Sequence, residues 1–170
     1  MPALRGLLDR FILVVGVVAA GCIPSFIVQY RQRMGGMLDQ VLRDLAPFQE
    51  IANRNHGGNL GELIRRHLAS SDTTFHAEGA AIQAMVDASV RLRTGYDALN
   101  TDLLHQLAYL STQLDPGIAR ATWAIYAPSF TLTAESVIFS AVLGVAIWLV
   151  FLVLWFACAR TGRAVLGRQS

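Results

Sequence analysis

Few residues of this chain have the type and spacing needed for catalysis or metal binding. Its four histidines are separated along the polar middle of the sequence: His56, His67, His76 and His105. These separations match no metal-ligand pattern. The serines beside Asp72 and His76 supply side chains found in nucleophilic triads, but helix caps and turns explain them better. We therefore expect no catalytic residue, no metal and no cofactor, and we predict that the protein is not an enzyme.

Phosphate loops and nucleic-acid surfaces are also disfavoured. The glycine-rich segment NHGGNLG at 55–61 follows no predicted strand, so it lacks the context of a phosphate-binding loop. The region from Arg31 to Glu135 contains 9 arginines and 11 acidic residues, and its net formal charge is negative. Because this region has no basic groove with interleaved aromatic residues, nucleic acid is not an expected partner.

The apolar residues are concentrated near the two ends of the chain. Overall, 54% of the residues are hydrophobic and 15% are charged. Between Arg10 and Arg31 lie 20 residues without a charge, and between Glu135 and Arg160 lie 24 more. At about 1.5 Å per residue, each run is long enough for the roughly 30 Å core of a bilayer. We predict transmembrane helices at 11–30 and 136–159, with the lipid bilayer as a partner.

The segment VAAGCIPSF around Cys22 has two interpretations. Arginines, an apolar run and a small-residue stretch before the cysteine resemble a lipoprotein signal, after which Cys22 would carry a lipid. However, Ile23 and Phe26–Val28 continue the apolar run for about two more helical turns, which a membrane span requires and a lipoprotein leaves unexplained. We favour an intact span kinked at Pro24, with lipidation of Cys22 as the alternative.

Arginine placement predicts the orientation. All 14 basic residues are arginine, and three of them follow the second apolar run without an acidic residue among them. Positive flanks stay in the cytoplasm, so the segments 1–10 and 160–170 are expected there and the middle region outside. Arg31 and Arg33, just after the first run, argue for the opposite orientation, but the arginine-rich tail and the acidic middle outweigh them.

The middle region has the periodicity of helices. After Gly35-Gly36, which we read as a break, apolar residues recur every three or four positions: Leu38, Val41, Leu45, Phe48 and Ala52. A short helix at 62–69 follows, and Asp72 then offers an N-cap for a run of about 40 residues with one apolar stripe, filled at one place by Gly79. The spacing predicts an antiparallel, coiled-coil-like hairpin over 31–117. Acidic residues four positions before an arginine, as in Glu62–Arg66 and Asp87–Arg91, indicate solvated faces.

An interfacial segment is expected at 118–135, ending at Thr133 as a possible cap of the second span. Aromatic residues near the span ends are typical of the membrane–water interface. The predicted anchors are Tyr30, Trp123, Tyr126, Phe130 and Trp155.

Small residues four positions apart form two shallow notches in the spans. Gly16 and Ala20 form one, and Ser140 and Gly144 form the other. Counted inward from the predicted span ends, Ala20 and Gly144 lie at different depths, so the notches should not meet within one chain. Because identical helices in a symmetric dimer share depth, we expect a homodimer contact through at least one notch.

Two sequence patterns resemble a known family. They are IPSFIVQYRQRMGGMLDQ at 23–40 and YAPSFTLTAESVIF at 126–139. Both are similar to patterns in a family of small proteobacterial inner-membrane proteins of unknown function. The resemblance implies an architecture and a location in the bacterial inner membrane, with the middle region in the periplasm, but no activity and no catalytic residue.

These observations predict an all-α membrane protein of two transmembrane helices joined by a long helical hairpin. The expected function is an inner-membrane interaction or scaffold protein that presents the hairpin to a protein partner or to a second copy. The alternative is a sensory or receptor-type subunit that acts through a partner chain.

Overall fold

A computed structural model describes residues 2–129 and 132–166, with side chains described for 6–129 and 132–156. All regular secondary structure in the described residues is helical, which confirms the all-α class. The helices are α1 (Pro2–Asn55), α2 (Leu60–Leu68), α3 (Thr73–Ala98), α4 (Leu103–Gln113), α5 (Pro116–Trp123) and α6 (Ala134–Leu166). They form two compact units: a terminal unit of Met1–Ile27 with Tyr126–Ser170, and a central unit of Val28–Ile125.

The helix α1 is continuous for 54 residues, so the predicted break at Gly35-Gly36 is wrong. Each glycine weakens a helix by about 1 kcal/mol relative to alanine. Packing of the α1 face that buries Leu38 and Leu45 in the central unit offsets this cost. Cys22 also lies inside α1, which favours an unbroken helix through the lipoprotein-like segment.

A tight contact between α2 and α3 forms one end of the central unit. Asp72 caps α3 as predicted, since its side chain accepts a hydrogen bond from the Thr74 N–H at 2.8 Å. Gly79 of α3 is buried against α2, where a Cβ would lie 2.7 Å from the His67 Cβ. The absence of a side chain at Gly79 therefore lets α2 lie close to α3.

The prediction of one continuous helix of about 40 residues after Asp72 is wrong, because the chain leaves helical geometry between α3 and α4. Asp102 starts α4 as an N-cap that accepts hydrogen bonds from the backbone N–H groups of Leu104 and His105. A hydrogen bond from the His105 side chain holds the pKa of Asp102 below its usual value. Leu99 and Leu103 are buried on either side of the break, so the apolar stripe continues although the helix does not.

Most of α5, which begins at Pro116, lies in the segment predicted to be interfacial. The Asp115 carboxylate caps it by accepting hydrogen bonds from the N–H groups of Gly117 and Ile118. Ile118 and Thr122 are buried in the central unit. Residues 116–123 are therefore part of the packed helical unit.

Two helices are long and apolar enough to cross a membrane, over Gly6–Asn55 in α1 and Ala134–Phe156 in α6. Thr133 caps α6 as predicted, because its hydroxyl accepts a hydrogen bond from the Ser136 N–H at 3.2 Å. Large apolar side chains of both helices point away from the protein: Phe11 is 66% exposed and Val153 is 68% exposed.

Gly79→Ala should destabilise the protein, whereas Gly36→Ala should stabilise it. An added Cβ at Gly79 meets the His67 Cβ and, at 3.0 Å, the Leu68 backbone nitrogen. Overpacking of this kind costs about 1–3 kcal/mol, more than the roughly 1 kcal/mol that alanine gains over glycine in a helix. Gly36 has nothing within 4 Å of its added Cβ, so only the gain remains. Thermal unfolding of the full chain, followed by circular dichroism, should shift in opposite directions; a shift in the same direction would contradict the close packing of α2 and α3.

Candidate functional site

Tyr30, which lies in the first of the two sequence patterns, has a fully buried side chain, with 0% exposure. Its hydroxyl oxygen accepts a hydrogen bond from the backbone N–H of Asp115 at 3.0 Å. The residue thus fixes the connector between α4 and α5 against α1. Protein atoms enclose the ring, and the role of Tyr30 as a membrane-interface anchor stays a prediction.

Two arginines on the same turn of α1 hold the ends of other helices. Arg31 donates to the carbonyl of Leu99 at 3.2 Å and to the Asn100 side chain at 3.4 Å, where α3 ends. Arg33 donates to the carbonyl of Ala121 at 2.9 Å, in the last turn of α5. Carbonyls at a helix C-terminus lack intrahelical donors and carry the negative end of the helix dipole, so a guanidinium group satisfies both. These two charges, which weakened the predicted orientation, have a structural role.

Two glycines, Gly35 in α1 and Gly95 in α3, lie where α1, α3 and α4 approach one another. A Cβ at Gly35 would lie 2.9 Å from the ring of Tyr96 in α3. A Cβ at Gly95 would lie 2.5 Å from the Tyr109 hydroxyl of α4 and 2.8 Å from the Met34 sulfur. An added Cβ at either position would press on these side chains, so the two glycines favour the close approach of α1, α3 and α4.

Beside this contact lies a cleft of about 440 Å³, which we name the central cleft. It is lined by α1, α3, α4 and the start of α5. Its apolar wall consists of Met34, Met37, Val90, Leu92 and Ile118. The volume is within the range of small-molecule sites, about 300–1,000 Å³.

The polar groups of the central cleft differ in how far the protein satisfies them. The Asp115 carboxylate is engaged as the cap of α5. In contrast, the side chains of Arg91, Tyr109 and Gln113 form no hydrogen bond or ion pair with any other residue of the described parts of the chain. Burial, and secondarily the charge of Asp115, raise the pKa of Tyr109 above its ordinary value of 10.0. Its hydroxyl therefore stays protonated at neutral pH and can donate a hydrogen bond.

The residues that form the central cleft carry no distinctive signal in the sequence, so the cleft was not predicted. Arg91 was assigned to a surface pair with Asp87, yet Asp87 accepts a hydrogen bond from Gln83 at 2.9 Å instead. Tyr109 lies off the predicted apolar stripe. By contrast, the predicted Glu62–Arg66 pair is present at 3.9 Å.

In the terminal unit, the serines of the two P-S-F triplets of the sequence patterns come together. The hydroxyl oxygens of Ser25 and Ser129 are 2.6 Å apart and share a hydrogen bond. The Tyr126 hydroxyl donates to the carbonyl of Cys22 at 2.7 Å, and its ring meets Phe26 edge to face at 5.6 Å. These contacts give both patterns a structural explanation and occupy the polar end of Tyr126.

The other predicted anchors have different positions. Trp123 and Trp155 are exposed, and their role at a membrane interface stays a prediction. Phe130 lies outside the described residues.

The predicted depth mismatch between the two notches is wrong. A Cβ at Gly16 would lie 3.5 Å from the Gly144 carbonyl oxygen, and a Cβ at Gly144 would lie 2.9 Å from the Val17 Cα. Ala20 and Ser140 are also buried. Depth was counted from predicted span ends, which are not helix ends, since α1 continues to Asn55. The glycines pack within one chain, so the reason for expecting a homodimer through the notches no longer holds.

Among the residues that the structure describes, no group of three or more histidine, cysteine, aspartate or glutamate side chains could hold a metal. Two of the histidines make local contacts. His67 pairs with the Leu63 carbonyl at 2.9 Å, and His105 contacts the Asp102 cap. The central cleft offers hydrogen-bond donors and an apolar wall, which are features of ligand-binding sites.

These features define an all-helical protein with two long apolar helices and a separate helical unit that contains a cleft. The chain belongs to the family described as "Protein of unknown function (DUF2937)", which matches residues 4–164. The predicted membership in a family of unknown function is therefore confirmed. No curated protein and no solved structure matches the chain.

Tyr30→Phe should destabilise the central unit more than Tyr109→Phe does. Removing the Tyr30 hydroxyl leaves the partly buried N–H of Asp115 without its acceptor, at a cost of about 1–3 kcal/mol. The Tyr109 hydroxyl has no protein partner in the described residues, so its loss should cost less than about 0.5 kcal/mol. Chemical denaturation of the full-length variants measures the difference. Equal losses would mean that the Tyr30 contact does not hold the connector.

Proposed function

We propose that this protein is a bacterial inner-membrane interaction or scaffold protein and not an enzyme. In this proposal the first part of α1 and the whole apolar part of α6 cross the bilayer. Both termini are cytoplasmic, and the central unit lies in the periplasm. The observation that carries the proposal is the outward exposure of large apolar side chains along both helices, which only lipid or another apolar partner would cover.

The order of contacts supports an antiparallel arrangement within each unit. In the terminal unit, Gly16 lies near Gly144, whereas Ser25, farther along α1, meets Ser129. In the central unit, Arg31 reaches Leu99, while Leu45 packs in one cluster with Ile82. In both units, a higher residue number in α1 is matched by a lower residue number in the segment that it contacts. This supports a pair of spans and a helical hairpin, with the hairpin interrupted at 99–102.

Exposed apolar side chains of the central unit support a protein partner. Leu104 is 72% exposed and Val90 is 60% exposed. A protein partner, or a second copy of the chain, would remove this apolar area from water. We therefore place the interaction surface on the central unit.

The orientation can be tested with reporter fusions. Alkaline phosphatase fused after Asn100 should be active, because the enzyme needs the oxidising periplasm, and a fusion after Arg163 should be inactive. A cytoplasmic reporter at the same two positions should give the reverse pattern. If the phosphatase is active only after Arg163, the proposed orientation is incorrect.

The partner surface can be tested by photo-crosslinking in intact membranes. A photoreactive amino acid at Leu104 should give one discrete crosslinked product. The same group at Arg54, whose side chain is 67% exposed on α1, serves as a control for random collision. Products of equal yield from both positions would contradict a specific surface. Mass spectrometry of the Leu104 product then separates a second copy from a different protein.

The central cleft favours a second candidate function. A receptor-type subunit needs a ligand site, and Arg91 and Tyr109 supply hydrogen-bond donors that no described protein group uses. Such a subunit would pass its signal through a partner chain.

A further inference from the structure

We propose that the central cleft binds a small amphiphilic monocarboxylate, such as a short-chain or medium-chain fatty acid. The carboxylate binds Arg91 with help from the Tyr109 hydroxyl, and the alkyl chain lies along Met34, Met37 and Leu92. This proposal depends on the cleft alone. It requires neither the membrane orientation nor the protein partner proposed above.

The charge of the ligand's head group is inferred from the polar side chains of the cleft that have no partner within the described residues. Arg91 is exposed, always charged, and has no counter-ion among the described residues. Tyr109 and Gln113 add neutral donors on the same lining. The guanidinium group of Arg91 favours an anion, because charge-assisted hydrogen bonds to a carboxylate are the strongest that these donors can form.

A single negative charge fits better than two. The cleft offers one guanidinium group, and the Asp115 carboxylate lies on the same lining. Although Asp115 is stabilised by the N–H groups of α5, its charge would still repel a dianion such as a phosphate monoester. A cationic ligand would be repelled by Arg91, so a monoanion is the best match.

The alkyl tail of the proposed ligand is inferred from the apolar wall of the cleft. Met34, Met37 and Leu92 are flexible or branched apolar side chains, and methionine adapts to ligands of varied shape. Met37 is also 43% exposed, so an alkyl chain would cover apolar surface that is now open to water. The Gly95 contact, which brings Tyr109 next to Met34, places the donor hydroxyl at the edge of this wall.

Methyl NMR of the full chain in lipid nanodiscs tests the proposal, with the methionine methyl groups labelled and sodium octanoate as the probe. The Met34 and Met37 signals should shift saturably. Met85 serves as an internal control, because it packs in another cluster, around Leu45, Ile64 and Ile82. Octyltrimethylammonium, which has the same alkyl length but a positive head group, should shift neither cleft signal.

Arg91→Gln should raise the Kd for octanoate about tenfold or more, the effect expected for loss of one charge-assisted hydrogen bond. Arg93→Gln is the matched control, because it removes an exposed arginine two residues away that does not line the cleft, and its Kd should stay within about twofold of the wild-type value. Tyr109→Phe should raise the Kd about fivefold. An unchanged Met85 signal in each variant verifies folding.

Several results would overturn the proposal. They are the absence of a shift, shifts that grow linearly without saturation, a Met85 shift as large as that of Met34, or equal affinity for the cationic probe. Equal weakening by Arg91→Gln and Arg93→Gln would also overturn it, because this would indicate general electrostatic attraction. None of these outcomes depends on the phosphatase or crosslinking results.

Discussion

The central unit depends on one turn of α1, in which Tyr30, Arg31 and Arg33 satisfy backbone groups at the ends of other elements. Helix termini and short connectors leave N–H and carbonyl groups without partners, and such groups are costly when they are shielded from water. The three side chains reach the end of α3, the connector before α5 and the last turn of α5. One rigid helical turn thereby positions segments that are 68 to 88 residues away in sequence.

Glycines inside helices have a related role. At Gly35, Gly79 and Gly95 in the central unit, and at Gly16 and Gly144 in the terminal unit, a Cβ would contact or overlap the neighbouring helix. Each costs helix stability when considered alone. Closer packing of the neighbouring helix offsets that cost, since buried side chains gain many short-range contacts at small separation. The contact at Gly95 also brings Tyr109 next to Met34 in the central cleft, so helix packing and the proposed ligand site share one cause.

The chain carries two kinds of surface with different physical requirements. The outward side chains of the apolar helices need an apolar environment, whereas the central cleft combines an apolar wall with Arg91 and Tyr109 as unused donors. Among the described residues, no group of three or more histidine, cysteine, aspartate or glutamate side chains could hold a metal ion. Membership in a family of unknown function adds no activity, so the proposed roles in binding depend on these surfaces.

Features that depend on local pattern could be predicted from the sequence. Apolar length identified the two long apolar helices, and cap chemistry identified Asp72 and Thr133. Periodicity identified the α1 face that buries Leu38 and Leu45. Which glycines stay helical could not be predicted, because it depends on tertiary contacts such as that of Gly35 with Tyr96. The tertiary structure also decided that Tyr30 is a core residue, that Gly16 meets Gly144 and that Arg91 and Tyr109 share a cleft. These outcomes depend on contacts between residues far apart in the chain, for which neither spacing nor composition carries a signal.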